Sequence, residues 1–326
     1  MSRLPPELER KIFTLDAYHD AREARRLLFV AQRVKIWIEP LLWRLFIVGP
    51  DEEPERSEIA ESHSSIPTMG VATFAGILAR NAAMGAAVHD LFFTAIGDTY
   101  VGEARVVLAQ LPHLHNLGLG LEQPCYGILD ALSPGSLRRL WTHLTELLDP
   151  ASAAEGGWHL EHHPALSNLT HLNIFPHPAL PSALRLPSLT HFALQIDDSD
   201  ILQSSQLPWP EFRQAALSAL QRTLRALVII LVDWISGTDE SFELDSDPRL
   251  IAEPGFVLFP NGIGDAFADW VEGATGGMDF WEHADVFIAK RRARLVDENT
   301  FKLEPVRAAR PESPDHKVEW AQFGGQ

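Results

Sequence analysis

The chain has 326 residues, of which 46% are hydrophobic, and its formal net charge is −17. This length and composition are typical of a globular protein with one large core, or with one core beside a small module. Because a chain this negative repels a phosphate backbone, we expect no nucleic-acid binding. The most apolar short run, Leu227–Val232, is too brief to span a bilayer, so we expect no membrane binding either.

The single cysteine, Cys125, can form neither an internal disulfide nor a thiolate metal site. The first residues also lack the apolar segment of a secretory signal peptide. Both features predict a reducing compartment, the cytoplasm or the nucleus.

The chain begins with two predicted helices in a module that covers residues 1–48. Pro5 and Pro6 suit the first turn of a helix, whose apolar positions then fall at i, i+4 and i+7: Leu8, Ile12 and Leu15. A second helix is predicted from Arg22 to Pro40, with the same spacing at Leu27, Ala31, Val34 and Ile38. Helices this short need a docking partner, which is either the rest of the chain or another protein.

An acidic segment rich in Pro and Ser follows at residues 49–68 and predicts a linker or surface loop. Residues 69–296 form the predicted body. The segments at 111–121, 166–175, 186–196 and 223–231 share the pattern L-x-x-[LF]-x-[LI], and weaker copies begin at Val88 and Ser136. Their spacing brackets the period of leucine-rich repeats. The fold class predicted is α/β, an irregular leucine-rich-repeat-like solenoid of parallel strands and helices.

In such a solenoid the residues between the apolar positions of each strand line one concave face. We predict this face to be exposed and to bind a protein target, because aromatic side chains there are typical of interfaces. The residues assigned to it are Phe92, Asn116, Arg139, Trp141, His171, Asn173, Phe175, His191 and Gln195.

The body is predicted to end in a strand at 256–260 and a helix capped by Asp279. We expect this last helix to close the open end of the stack. Residues 297–326 are rich in Pro and polar side chains and are predicted to lack fixed structure.

The N-terminal stretches LPPELERKIF, RLLFVAQRV and PLLWR resemble an F-box, the helical module that docks onto the small adaptor subunit of cullin-RING ubiquitin ligases. The whole layout is similar to the F-box-like proteins with degenerate leucine-rich repeats that abound in mushroom-forming fungi. The resemblance implies a non-catalytic subunit that links an unknown protein target to the ligase. It assigns adaptor binding to Leu4, Pro5, Glu7, Leu8, Ile12, Phe13, Leu27, Val30, Pro40, Leu42 and Trp43.

Two alternatives stay open at the level of sequence. Ala31 and Val34 depart from the residues common in F-boxes, so the segment could instead be a structural cap on a protein-binding scaffold. The second alternative is an enzyme whose site lies in a cleft and is not visible as a sequence motif. A pocket with paired carboxylates or histidines would support this alternative. No sequence motif predicts a catalytic residue, a cofactor or a metal site, and the clustered histidines are interpreted as ordinary surface residues.

Overall fold

A computed structural model describes residues 4–19, 21–51, 66–121, 123–149, 151, 159–196, 209–232, 247–260, 266–297 and 299–303. Most of the predicted linker (52–65) and most of the predicted tail (304–326) lie outside these residues.

Three helices open the chain: α1 (Pro6–His19), α2 (Ala21–Leu27) and α3 (Gln32–Leu42). The prediction of one helix from Arg22 to Pro40 is therefore wrong. The chain turns at Leu28–Val30, where the amides of Phe29 and Val30 donate to carbonyls of the preceding helix. The turn lets three short helices enclose a small core of their own, formed by Ala17, Ala24, Val34 and Ile38.

Within the residues that the structure describes, nine parallel strands form one sheet, with the order β2-β1-β3-β4-β5-β6-β7-β8-β9. From β3 onward each strand lies beside the next one in sequence, as a repeated strand and crossover unit produces. The strands are β1 (Leu45–Gly49), β2 (Thr68–Gly70), β3 (Asp90–Ile96), β4 (Asn116–Leu121), β5 (Arg139–Thr142), β6 (His171–Ile174), β7 (His191–Ile196), β8 (Ala226–Leu231) and β9 (Phe256–Phe259). Strands β3 to β8 fall on the six repeat copies found in the sequence.

One face of the sheet carries the connecting helices and the largest core. These helices are α4 (Val71–Arg80), α5 (Ala82–Ala87), α6 (Val101–Ala109), α7 (Leu144–Leu147), α8 (Leu180–Ala183), α9 (Trp209–Leu220) and α10 (Pro248–Ala252), with four 3-10 turns between them. The repeated leucines point into this layer: Leu114, Leu117 and Leu119 of one copy are fully buried.

Two further helices, α11 (Ala266–Ala274) and α12 (Phe280–Arg292), pack on the opposite face of the sheet. Phe267 and Trp270 of α11 contact Phe92, and Phe280 and Trp281 of α12 join the core formed by β7, β8 and β9. The expectation that the C-terminal helix closes the end of the stack is therefore wrong, and the sheet is covered on both faces.

Two boundaries drawn from the sequence need correction. The run Leu45–Gly49 is a fully buried strand, so the predicted end of the helical module at residue 48 falls inside β1. At the other end, Leu258 of β9 makes two backbone hydrogen bonds with the predicted tail. Its amide donates to the carbonyl of Phe301, and its carbonyl accepts from the amide of Leu303. The tail predicted to lack fixed structure thus begins with a short segment that pairs with the free edge of β9.

Candidate functional site

Helix α1 presents an apolar row to solvent. Leu8, Ile12 and Leu15 are 50%, 53% and 54% exposed, and their spacing places them on one side of the helix. Leu4, which precedes the helix and is 57% exposed, extends the row. Phe13 lies on the other side, against the small core of the three helices. Contiguous exposed apolar surface is typical of a site that binds another protein.

A groove runs beside this row. It is lined by Leu4, Pro6, Ile12 and Phe13 and by the ion pair between Glu9 and Arg33. Protein-binding surfaces commonly combine apolar side chains with polar and charged ones.

The residues assigned to adaptor binding divide into three groups. Those exposed to solvent are Leu4, Pro5, Glu7, Leu8, Ile12, Val30 and Pro40. Phe13, Leu27 and Leu42 are partly buried against the core of the three helices. Trp43 packs instead against the main core and attaches the helices to the sheet.

The face assigned to target binding is not open. The register places its members side by side as predicted, but Phe92, Asn116, Asn173, His191 and Gln195 are buried. Their predicted exposure is wrong because α11 and α12 cover the sheet. Those that keep partial exposure are Arg139, Trp141, His171 and Phe175.

Phe92 is the centre of the contact with α11. Its ring is 4.6 Å from that of Phe267 and 5.1 Å from that of Trp270, in edge-to-face arrangements. On the neighbouring strand, Gly118 leaves the space into which the ring fits, since a Cβ atom there would lie 2.1 Å from Phe92. The glycine and the phenylalanine therefore form one packing unit across β3 and β4.

A polar row crosses the sheet at the start of the strands. Parallel pairing aligns the first residues of five neighbouring strands: Asp90, Asn116, Arg139, His171 and His191. Two of these hold α12 in place. Arg139 Nη1 donates to Asp279 Oδ2 at 2.9 Å, and His191 Nε2 lies 3.2 Å from Asp285 Oδ1.

Asp90 lies at one end of this row. Burial raises its pKa to about 6, although the Arg44 guanidinium, 3.5 Å away, and a hydrogen bond from Asn116 oppose the rise. Arg44 also donates to the carbonyl of Ala274 at the end of α11. Arg44 therefore links the beginning of β3 to the end of α11.

The LTH that recurs in two copies of the repeat supplies the two histidines of this row, His171 and His191, which the register places side by side. The rings of His171 and His191 stack at 4.1 Å, and Trp281 packs edge-on against both. Each Nδ1 is hydrogen-bonded to the preceding threonine, Thr170 or Thr190. Burial, together with the neighbouring His191, lowers the pKa of His171 to about 2, so this ring stays neutral near pH 7.

Two carboxyl groups meet at the beginning of α12. Asp279 Oδ1 accepts from the amide of Glu282, which confirms the predicted cap, and Asp269 Oδ1 accepts from the amide of Phe280. Burial and the nearby Asp279 raise the pKa of Asp269 to about 8. Asp269 therefore keeps its proton at neutral pH, while Asp279 pairs with Arg139.

A small cavity lies between these groups and the sheet. Its volume is about 30 Å³, which has room for one or two water molecules. Among its lining atoms, Trp141 Nε1, Trp270 Nε1 and Asn173 Oδ1 have no hydrogen-bond partner within the described residues. The paired carboxyls and His171 are the residue types that the enzyme alternative requires, and in this fold both carboxyls accept hydrogen bonds from amides at the beginning of α12.

Sequence reasoning missed α11 and the role of Asp269 altogether. The segment ADWVEGA carries Trp270, Val271 and Ala274 on one side, a helical spacing that could have predicted an amphipathic helix. Asp269 has no such signal, because its neighbours at the start of α12 are brought to it only by the turn between the helices.

The chain matches no protein-family model and no curated protein sequence. Within the described ranges, no helix has the length and apolar character needed to cross a membrane.

Proposed function

We propose that this chain is a non-catalytic recognition subunit that links a protein target to a cullin-RING ubiquitin ligase. In this proposal α1, α2 and α3 are an F-box-like module, and the sheet with its connecting helices is a degenerate leucine-rich-repeat-like body. The observation that carries the proposal is the exposed apolar row of α1. Leu4, Leu8 and Ile12 of this row were assigned to adaptor binding on the sequence alone, and Leu15 was not.

The same observation favours this function over the cap alternative. A cap shields the end of a solenoid by burying its apolar side chains against the body. The row Leu4, Leu8, Ile12 and Leu15 is about half exposed, so it is available to a partner. The module instead contacts the main core through Trp43, which follows α3. The apolar row of α1 faces solvent.

The covered sheet restricts where a target could bind. Trp141 and Phe175, 5.7 Å apart, are partly exposed, and the ring of His143 stacks on Phe175 at 3.7 Å. We place the target-binding part of the proposal on these aromatic side chains rather than on the whole face, since aromatic residues supply most anchors of protein interfaces.

Co-purification of the full chain with the small adaptor subunit of cullin-RING ligases tests the proposal. We expect the wild type to bind and the double variant Leu8→Ala, Ile12→Ala to lose at least about tenfold in affinity, because both side chains are anchors of the exposed row. The variant should fold normally, since neither side chain belongs to a core.

The matched control is Val106→Ala, Val286→Ala, which removes two similarly exposed apolar side chains from α6 and α12. It should bind as the wild type does. A well-folded wild type that does not bind the adaptor, or a control that loses binding as the double variant does, would contradict the proposal; the first result would favour the cap.

A further inference from the structure

Two histidines and a glutamate meet on the 3-10 turn Leu160–His162. One ligand atom each from His159, Glu161 and His162 lies within 4.8 Å of the others, and His159 Nδ1 is 3.8 Å from Glu161 Oε1. We propose that these three side chains bind a divalent transition-metal ion, with zinc as the expected species. This inference is independent of the proposed ligase function.

The glutamate is held in place before any ion arrives. Its Oε2 accepts a hydrogen bond from Ser182 Oγ at 2.9 Å, and its Oε1 accepts one from Arg185 Nε at 3.2 Å. Hydrogen bonds of this kind orient ligating carboxylates in metal sites. Leu160 is buried and anchors the turn on the body.

A positive charge lies beside the glutamate. Arg185 Nε is 3.2 Å from Glu161 Oε1. This charge weakens the attraction for a cation, so we expect moderate affinity rather than the tight binding of a buried site.

The histidines need only small movements. Their rings lie side by side with centroids 5.8 Å apart, and both residues are exposed. Ligand atoms at about 2.0–2.2 Å from a tetrahedral zinc ion are roughly 3.3–3.5 Å from one another, which rotation of exposed side chains can reach. Two imidazoles with one carboxylate favour zinc and related ions, whereas magnesium and calcium prefer oxygen ligands alone.

The sequence did not predict this site because the histidines had no third ligand of defined position. Glu161 stands between them in HLEHH, but a glutamate beside histidines is common on protein surfaces. What singles it out is its pair of contacts with Ser182 and Arg185, about twenty residues away on and just after α8.

Isothermal titration of the full chain with zinc chloride tests the inference. We expect a site of one ion per chain with a dissociation constant of roughly 1–100 μM, weakened at least about tenfold in His162→Ala and in Glu161→Gln. Magnesium chloride in excess should not displace the zinc. The matched control is His113→Ala, His115→Ala, which removes another exposed pair of histidines and should keep the site.

Thermal unfolding without metal checks that each variant is folded, and zinc should raise the melting temperature of the wild type and of the control only. The inference is overturned if the wild type shows no saturable zinc binding below about 1 mM, or if His162→Ala binds as tightly as the wild type. Loss of the site in the histidine-pair control would overturn it too, because the ion would then bind elsewhere.

Discussion

Replacing Phe92 by alanine is expected to lower the free energy of unfolding by about 3–5 kcal/mol, the usual cost of removing a buried aromatic ring. The ring is 3% exposed and packs between the sheet and α11, against Phe267 and Trp270. Deleting it leaves a cavity that α11 can close only by shifting toward the sheet. Urea-induced unfolding of the full chain, followed by tryptophan fluorescence and circular dichroism, measures the loss.

The experiment decides between two views of the same residue. On an open binding face, a phenylalanine could be truncated at a cost within about 0.5 kcal/mol, as for most surface positions. Val106→Ala is the control, since that side chain is 54% exposed on α6 and should give such a small change. A loss below about 1 kcal/mol for Phe92→Ala would mean that α11 does not cover the sheet in solution.

The strands of the body could be predicted because their signal is local. In LPHLHNLGLGL and LSNLTHLNIF, leucines alternate with other residues, and alternation alone decides which side chains share a face. The register of β4, β5 and β6 accordingly aligns Asn116, Arg139 and His171 as expected. What alternation cannot decide is whether water or another element lies on that face.

The sequence also carries a signal for burial on both faces of the sheet. Strands buried on both faces read as continuous apolar runs, and ALVIIL in β8 and FVLF in β9 are such runs. Their alternate residues, Val228 and Val257 among them, contact α12 in the second core. The run LFIV, assigned to the end of the helical module, is β1 for the same reason.

The exposed apolar row of α1 follows from the spacing more directly than the exposure of the sheet face does. The spacing of Leu8, Ile12 and Leu15 identified the apolar row of α1 before the fold was known. The break between α2 and α3 was not predictable from the spacing, since Leu27, Ala31, Val34 and Ile38 continue the helical period through it. Packing of both helices against α1 decides the break, and this is a tertiary effect.

The pH dependence of stability gives the second large effect. Asp269 has an ordinary pKa of 3.8 and a pKa of about 8 in the folded chain. The folded state therefore binds this proton more tightly than the unfolded state does. The contribution of Asp269 to the free energy of unfolding is greatest below about pH 4 and is lost as the pH rises to about 8.

Asp269→Asn should remove this part of the pH dependence. The amide oxygen can still accept from the amide of Phe280, but no charge forms beside Asp279. We compare the free energy of unfolding of the variant with that of the wild type at each pH. This difference, variant minus wild type, should increase by up to roughly 4 kcal/mol as the pH rises from about 5 to about 9. Denaturant unfolding at a series of pH values measures this difference.

Taking the difference between variant and wild type isolates Asp269 from the other buried groups. Asp90, with its pKa of about 6, also lowers the free energy of unfolding as the pH rises. His171, with its pKa of about 2, lowers it as the pH falls below 6.5. Both remain in the variant and cancel to first order. If Asp269→Asn gave the same difference from the wild type at every pH, Asp269 would be ionised in the fold, and the beginning of α12 would have to be open to water.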